Sequence, residues 1–118
     1  MKSENEKKLS KKVFVTFAFE ATHDWETCPY PEVDFLKYPH RHLFHIRLEK
    51  KVNHNNRDVE FIILKRSVES FINSNWNKKY LPGTSCEDMA ETLLLKFEAS
   101  KVEVSEDGEN GAMLEVFE

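Results

Sequence analysis

Three of the five histidines fall within six residues, in the stretch Tyr38-Pro39-His40-Arg41-His42-Leu43-Phe44-His45. On a strand, residues two apart point to the same side, so His40 and His42 project as a pair while Arg41 faces away. Two imidazoles on one face are half of a zinc site. His23, beside Asp24 at the end of an earlier apolar stretch, would join the pair if the two strands are neighbours. Three neutral imidazoles with one position left open allow zinc to bind a water or substrate oxygen and act as a Lewis acid. The other reading is a solvated or stacked histidine pair, and spacing alone does not separate the two. His45 falls on the opposite side of the strand and His54 in a turn, so both read as surface or partly packed side chains. Two cysteines, Cys28 and Cys86, are too few and too unpatterned for a disulfide scaffold or a cysteine-rich zinc site. Any metal must lean on histidine.

The elements that would position these residues follow from periodicity. Val13 to Glu20 alternates, with Val13, Val15, Phe17 and Phe19 on one side, and predicts a strand. Thr22 to Pro39 holds Pro29, Pro31 and Pro39 and reads as a long loop. Arg41 to Val52 predicts a second strand, closed by the turn formers Asn53 to Arg57. Phe61, Leu64, Val68, Phe71 and Ile72 have helical spacing, with Asp58 as the expected cap and an end near Trp76. Asn77 to Gly83 reads as a loop. Thr84-Ser85-Cys86-Glu87-Asp88 resembles a capping box ahead of a second helix through Met89, Ala90, Leu93, Leu94 and Phe97. Val102 and Val104 begin a third strand, Asp107 to Gly111 turns the chain, and Ala112 to Phe117 closes it. The order ββααββ predicts an α+β fold, a four-stranded antiparallel sheet with two helices on one face. Residues 1–12 read as a mobile charged lead-in and residues 13–118 as one domain.

With 118 residues, 40% hydrophobic and 32% charged, the composition is that of a soluble domain with one core. Nine Phe, three Tyr and two Trp are a large apolar payload for that size, and sheet edges in so small a domain favour a homo-oligomer. The formal charge of -4 removes the electrostatic warrant for nucleic acid or an anionic membrane as partner. No apolar run approaches the roughly 20 residues of a membrane span, and the expected location is cytoplasmic.

Five segments in order carry a more specific signal. Phe17-Ala-Phe-Glu-Ala-Thr-His23, His40-Arg-His-Leu-Phe-His-Ile-Arg-Leu-Glu49, Val59-Glu-Phe-Ile-Ile-Leu-Lys65, Thr84-Ser-Cys-Glu-Asp-Met-Ala90 and Val102-Glu-Val-Ser-Glu106 span most of the chain. Together they resemble the 6-pyruvoyl-tetrahydropterin synthase family, which includes the 6-carboxytetrahydropterin synthases of queuosine biosynthesis. The resemblance implies the tunnelling fold, in which subunits join their sheets into barrels as trimers or hexamers with active sites between them. It implies zinc (Zn2+) held by His23, His40 and His42. It also implies Glu106 as the residue that binds the pterin ring, two carboxylate acceptors matching two adjacent ring donors. The implied activity is zinc-assisted lyase chemistry on a dihydroneopterin triphosphate-type pterin.

The chain departs from that pattern where the chemistry needs a base. The family's catalytic cysteine sits four residues before the first histidine of the second strand, and Leu36 stands there; its Asp-His pair lies between the helices, where Asn73 to Gly83 holds neither. Cys28, five residues after His23, is the candidate for a substitute base, since proximity to zinc and histidine can depress a thiol pKa, with an unreactive loop thiol as the other reading; Glu32 and Asp34 lie in the same loop, Asp34 the weaker candidate. Cys86 reads as a small packed residue. Arg41 replaces a glycine between the two zinc histidines and is assigned to solvent or an interface. The alternative to an enzyme is a non-catalytic protein that keeps the zinc and ring sites.

Overall fold

Alternating apolar and polar side chains let a strand bury one face and solvate the other. In the computed structural model, which describes residues 8–117, the first such strand runs over Lys11–His23 (β1) and buries Val15, Phe19, Ala21 and His23. A second strand, His40–Val52 (β2), pairs antiparallel with it along its whole length, from Lys11 opposite Val52 to His23 opposite His40. Tyr80–Leu81 (β3) lies parallel to Thr22 and His23 on the outer edge of β1. Lys101–Glu106 (β4) pairs antiparallel with residues 44–49 of β2, and Asn110–Glu115 (β5) completes a hairpin with β4. The sheet order is β3-β1-β2-β4-β5.

Two helices cover one face of this sheet. Phe61–Asn75 (α1) buries Leu64, Val68 and Ile72, and Cys86–Lys96 (α2) buries Met89, Ala90 and Leu93. These side chains form one core with Phe19, Phe44, Leu48, Val102 and Val104, all from the same face of the strands. Ser85 and Asp88 close α2 with a reciprocal capping box, each backbone N–H donating at 3.0 Å to the other's side chain. The opposite sheet face stays open, with Phe14 and Leu43 exposed and the Arg47 guanidinium 3.7 Å above the Phe14 ring. Among the described residues no helix is long and apolar enough to cross a membrane.

The mixed α+β class and the two helices agree with the expectation, while several details correct it. The sheet has five strands, not four, because Tyr80–Leu81 joins β1 inside a segment read as loop; two residues are too few to show a period. β1 continues through Thr22 to His23, held by β2 on one side and β3 on the other. Lys11 and Lys12, assigned to the lead-in, belong to β1, where Lys12 lies 3.7 Å from Glu49 and 3.8 Å from Glu115. Residues 1–7 of that lead-in lie outside the described residues. Pro31–Lys37, within the expected loop, forms a kinked 3₁₀ segment. Glu60, not Asp58, caps α1 by accepting from the Ile62 and Ile63 amides at 3.1 and 3.2 Å. Asp58 accepts from the Asn53 amide at 2.8 Å and holds the preceding turn.

Candidate metal centre

The strand register alone brings three histidines together. His23 and His40 are direct cross-strand partners, and His42 follows two residues along β2 on the same face. All three lie on the helix-covered face and extend the stripe that continues into Phe44, whose ring meets His23 at 5.2 Å and His42 at 5.7 Å. The imidazole centroids are 4.5, 5.0 and 5.4 Å apart. β4 adds a carboxylate, because its last residue, Glu106, pairs with Phe44.

Each ring is oriented by a separate acceptor. His23 Nδ1 lies 2.7 Å from the Thr84 carbonyl, His40 Nδ1 2.8 Å from the Tyr38 carbonyl and His42 Nδ1 2.7 Å from Asp107 Oδ2. Carbonyls and carboxylates only accept, so each Nδ1 carries the proton and donates it. In its neutral form each ring then presents an Nε2 lone pair. The three Nε2 atoms are buried with no hydrogen-bond partner beyond the Glu106 carboxylate, and with Glu106 they form a group whose ligand atoms all lie within 4.8 Å of one another. Converging lone pairs beside a carboxylate match the donor set of a transition-metal ion, with the Nδ1 partners as its outer shell. This His/His/His/Glu group could hold a metal ion.

The electrostatics agree. Glu106 Oε2 is 3.0 Å from His23 Nε2, and Oε1 is 3.6 Å from His42 Nε2. A carboxylate facing neutral lone pairs at such distances is repelled unless a proton or a cation lies between them. Without a metal, a proton takes that place. Burial pulls the His23 pKa down, but its bond to Glu106, the Thr84 carbonyl and the charges of Glu106 and Asp24 outweigh it, leaving it above the ordinary 6.5. Glu106 is correspondingly held low by the His23 bond despite its burial. Asp107 is held low by His42 and by the Leu43 N–H, which donates to its Oδ1 at 3.1 Å.

The loop between the helices is docked against this centre by Asp24. Its buried carboxylate accepts from the Tyr80 hydroxyl and, at 2.8 Å, from the Gly83 N–H, and the Tyr80 bond is the main cause of its lowered pKa. That contact presents the Thr84 carbonyl to His23. Beside the cluster opens a cavity of about 560 Å³, lined among others by His23, His40, Trp25, Leu36, Cys86 and Glu87. Its volume suits a small organic ligand.

Sequence reasoning singled out His23, His40, His42 and Glu106, and the fold brings these four together. Glu106 stands within the histidine cluster itself, its Oε2 3.0 Å from His23 Nε2. Cys28 is elsewhere: its thiol is buried in its own loop, 3.8 Å from the Tyr30 and Val33 carbonyls, and it is not among the cavity's lining residues. Leu36 does line the cavity, so the position where the resembled family has a cysteine presents an isobutyl group to the site. Cys86, read as merely packed, also lines it. Burial, then the charges of Glu106 and Glu87, push its thiol up to about 12, so it stays protonated at neutral pH. Arg41 points to the open face and pairs with Glu20 at 2.6 Å. Asp107 and the Thr84 carbonyl were missed. The Asp-Gly turn after Glu106 was a visible signal for the first, whereas a backbone carbonyl leaves none.

No protein-family model matches the chain, and no curated protein matches it. Among solved structures, an uncharacterized protein from Wolinella succinogenes superposes with a TM-score of 0.71 at 12% identity, covering 92% of this chain and 99% of that one. At that identity the likeness concerns the fold alone.

Proposed function

We propose that the chain is a zinc protein of the 6-pyruvoyl-tetrahydropterin synthase type, binding a pterin-like heterocycle beside the metal and acting on its side chain as a lyase. The observation that supports this is the convergence of three buried Nε2 lone pairs, each fixed by a separate Nδ1 acceptor, at the mouth of a ligand-sized cavity. His23, His40 and His42 would hold the ion, with the Glu106 carboxylate beside it. Zinc bound there would supply Lewis acidity toward a ligand oxygen. Trp25 and Leu36 give the ligand an apolar wall, and Glu87 and Glu106 are the carboxylates at hand to accept a proton. The subunits associate in the tunnelling-fold manner, as trimers or hexamers, which would cover the open sheet face carrying Phe14 and Leu43.

A second reading, a non-catalytic binder of a pterin or purine-like ring, is favoured by one observation. Leu36 occupies the family's base position, and neither cysteine offers a thiolate to the cavity. Metal analysis of protein purified without added zinc tests the site: near-stoichiometric zinc that is lost in His40→Ala and His42→Ala is expected, and none in the unaltered protein would sink both readings. Incubating the zinc-loaded chain with dihydroneopterin and its triphosphate then separates them, since turnover marks the enzyme and tight binding without turnover the binder.

A further inference from the structure

We propose, resting on the metal reading of the site, that Glu106 is a direct fourth ligand of the ion held by His23, His40 and His42. It closes the coordination sphere and is thereby taken from the ring-anchoring role that the family resemblance implies. All four side chains belong to one chain, so their geometry does not depend on what a neighbouring subunit adds to the cavity. The backbone puts the carboxylate there. Glu106 pairs with Phe44, so it lies diagonally across the ladder from His42 on the same face. Its strand end is pinned by the Asp107 amide, which donates to the Leu43 carbonyl at 2.7 Å, and by the Glu109 amide, which donates to the Glu106 carbonyl at 3.0 Å. The two carboxylate oxygens then meet different rings, Oε2 at 3.0 Å from His23 Nε2 and Oε1 at 3.6 Å from His42 Nε2. A tetrahedral ion with bonds of about 2.0–2.2 Å to nitrogen and oxygen sets neighbouring donor atoms about 3.3–3.5 Å apart, and the two distances bracket that spacing.

A shared proton is the alternative, and it accounts for less. One proton joins Glu106 to His23 alone, while His40 Nε2, buried in the same group, still has no hydrogen-bond partner. A single cation answers the three lone pairs and the carboxylate together. The Glu106 side chain is only 22% exposed, and a buried charge is costly unless it is paired. Four protein ligands are the closed arrangement of a structural zinc site, whereas three leave a position for a ligand oxygen. An incoming oxygen therefore has to displace Glu106 or add as a fifth donor. A coordinated carboxylate is also a poor proton acceptor, so of the two carboxylates at hand that role passes to Glu87.

The test loads the full chain with zinc or cobalt(II) and uses sodium azide, a small anion that enters open metal positions, with circular dichroism of the metal-free chains to check folding. The visible cobalt band of the parent should not move when azide is added, and that of Glu106→Gln should. Zinc affinity of Glu106→Gln, by chelator competition, should fall by more than about a hundredfold, beyond what an outer-shell partner is worth. Glu106→Asp keeps the charge but is one methylene shorter. It should also lose affinity and respond to azide, which separates ligation from simple repulsion of the anion. A parent band that shifts with azide, a loss below about a hundredfold in Glu106→Gln, or a Glu106→Asp that behaves as the parent overturns the fourth-ligand assignment and leaves the metal reading standing. Should a variant misfold, the parent's response to azide decides alone. A parent chain that binds no metal takes both down.

Discussion

Replacing Asp107 should weaken metal binding without unfolding the protein, and the chemistry of the replacement should matter in a specific way. Asp107 sits in the left-handed region at φ 56°, directly after β4, and one carboxylate serves two donors: Oδ2 accepts from His42 Nδ1 at 2.7 Å and Oδ1 from the Leu43 amide at 3.1 Å. Alanine there would add backbone strain of about 1–2 kcal/mol. Asp107→Gly removes the carboxylate without it. Outer-shell carboxylates of this kind are worth about tenfold to a hundredfold in metal affinity, equivalent to about 1.4–2.7 kcal/mol. Asp107→Asn should do no better than glycine. An amide has one accepting oxygen for two donors, and its NH₂ facing His42 favours the tautomer with the proton on Nε2, which removes a ligand lone pair. Zinc affinity measured by competition with a chromophoric chelator, alongside circular dichroism and melting of the metal-free chain, tests this. Affinities within about threefold of the parent for both variants, or Asp107→Asn behaving as the parent, would refute the outer-shell assignment, since the expected loss starts at tenfold.

Four further outcomes are expected. Zinc affinity should fall as pH drops through the raised His23 pKa, above 6.5, because the proton and the metal compete for Nε2; Glu106→Gln should move that midpoint downward. In the metal-free chain the sign is opposite for His23, whose stabilisation is complete below 6.5 and lost as pH rises through the raised value, while the depressed Glu106, Asp107 and Asp24 lose theirs only in acid; melting against pH reads both. Gly111→Ala should cost at least about 2 kcal/mol in denaturant unfolding, since its Cβ would stand 2.0 Å from the Val104 carbonyl oxygen. Cys28→Ser should leave ligand binding and any turnover unchanged, and an activity loss would return that thiol to the mechanism.

What was legible beforehand was whatever has a period or a side-chain signature. Alternation through Val13 to Phe19 and through Phe44 to Leu48 defined the two long strands, and helical spacing found Leu64, Val68 and Ile72. His-x-His on a strand, with a third histidine on its neighbour, fixed three of the four clustered residues. The misses share a physical cause. β3 is two residues long and exists because Asp24 draws Tyr80 and Gly83 inward, a contact between positions more than fifty residues apart. The choice between Asp58 and Glu60 as cap depends on where the chain turns after Asn53, which composition does not encode. Cys28 was favoured by its nearness to His23 in sequence, but the 3₁₀ segment turns its thiol into the loop while the more distant Cys86 reaches the cavity.

The ring acceptors have a consequence for how the chain reaches its native state. His23 and His40 meet as soon as the β1–β2 hairpin closes, but the bond from His42 to Asp107 spans 65 residues and that from His23 to Thr84 spans 61. Closing such loops is the slow, entropically costly part of assembling a sheet of this kind. A partly folded hairpin therefore offers two unoriented imidazoles, and the complete donor set exists only once both helices and β4 have docked. The rate at which tight metal capture appears after dilution from denaturant then reports the last closure rather than the first collapse.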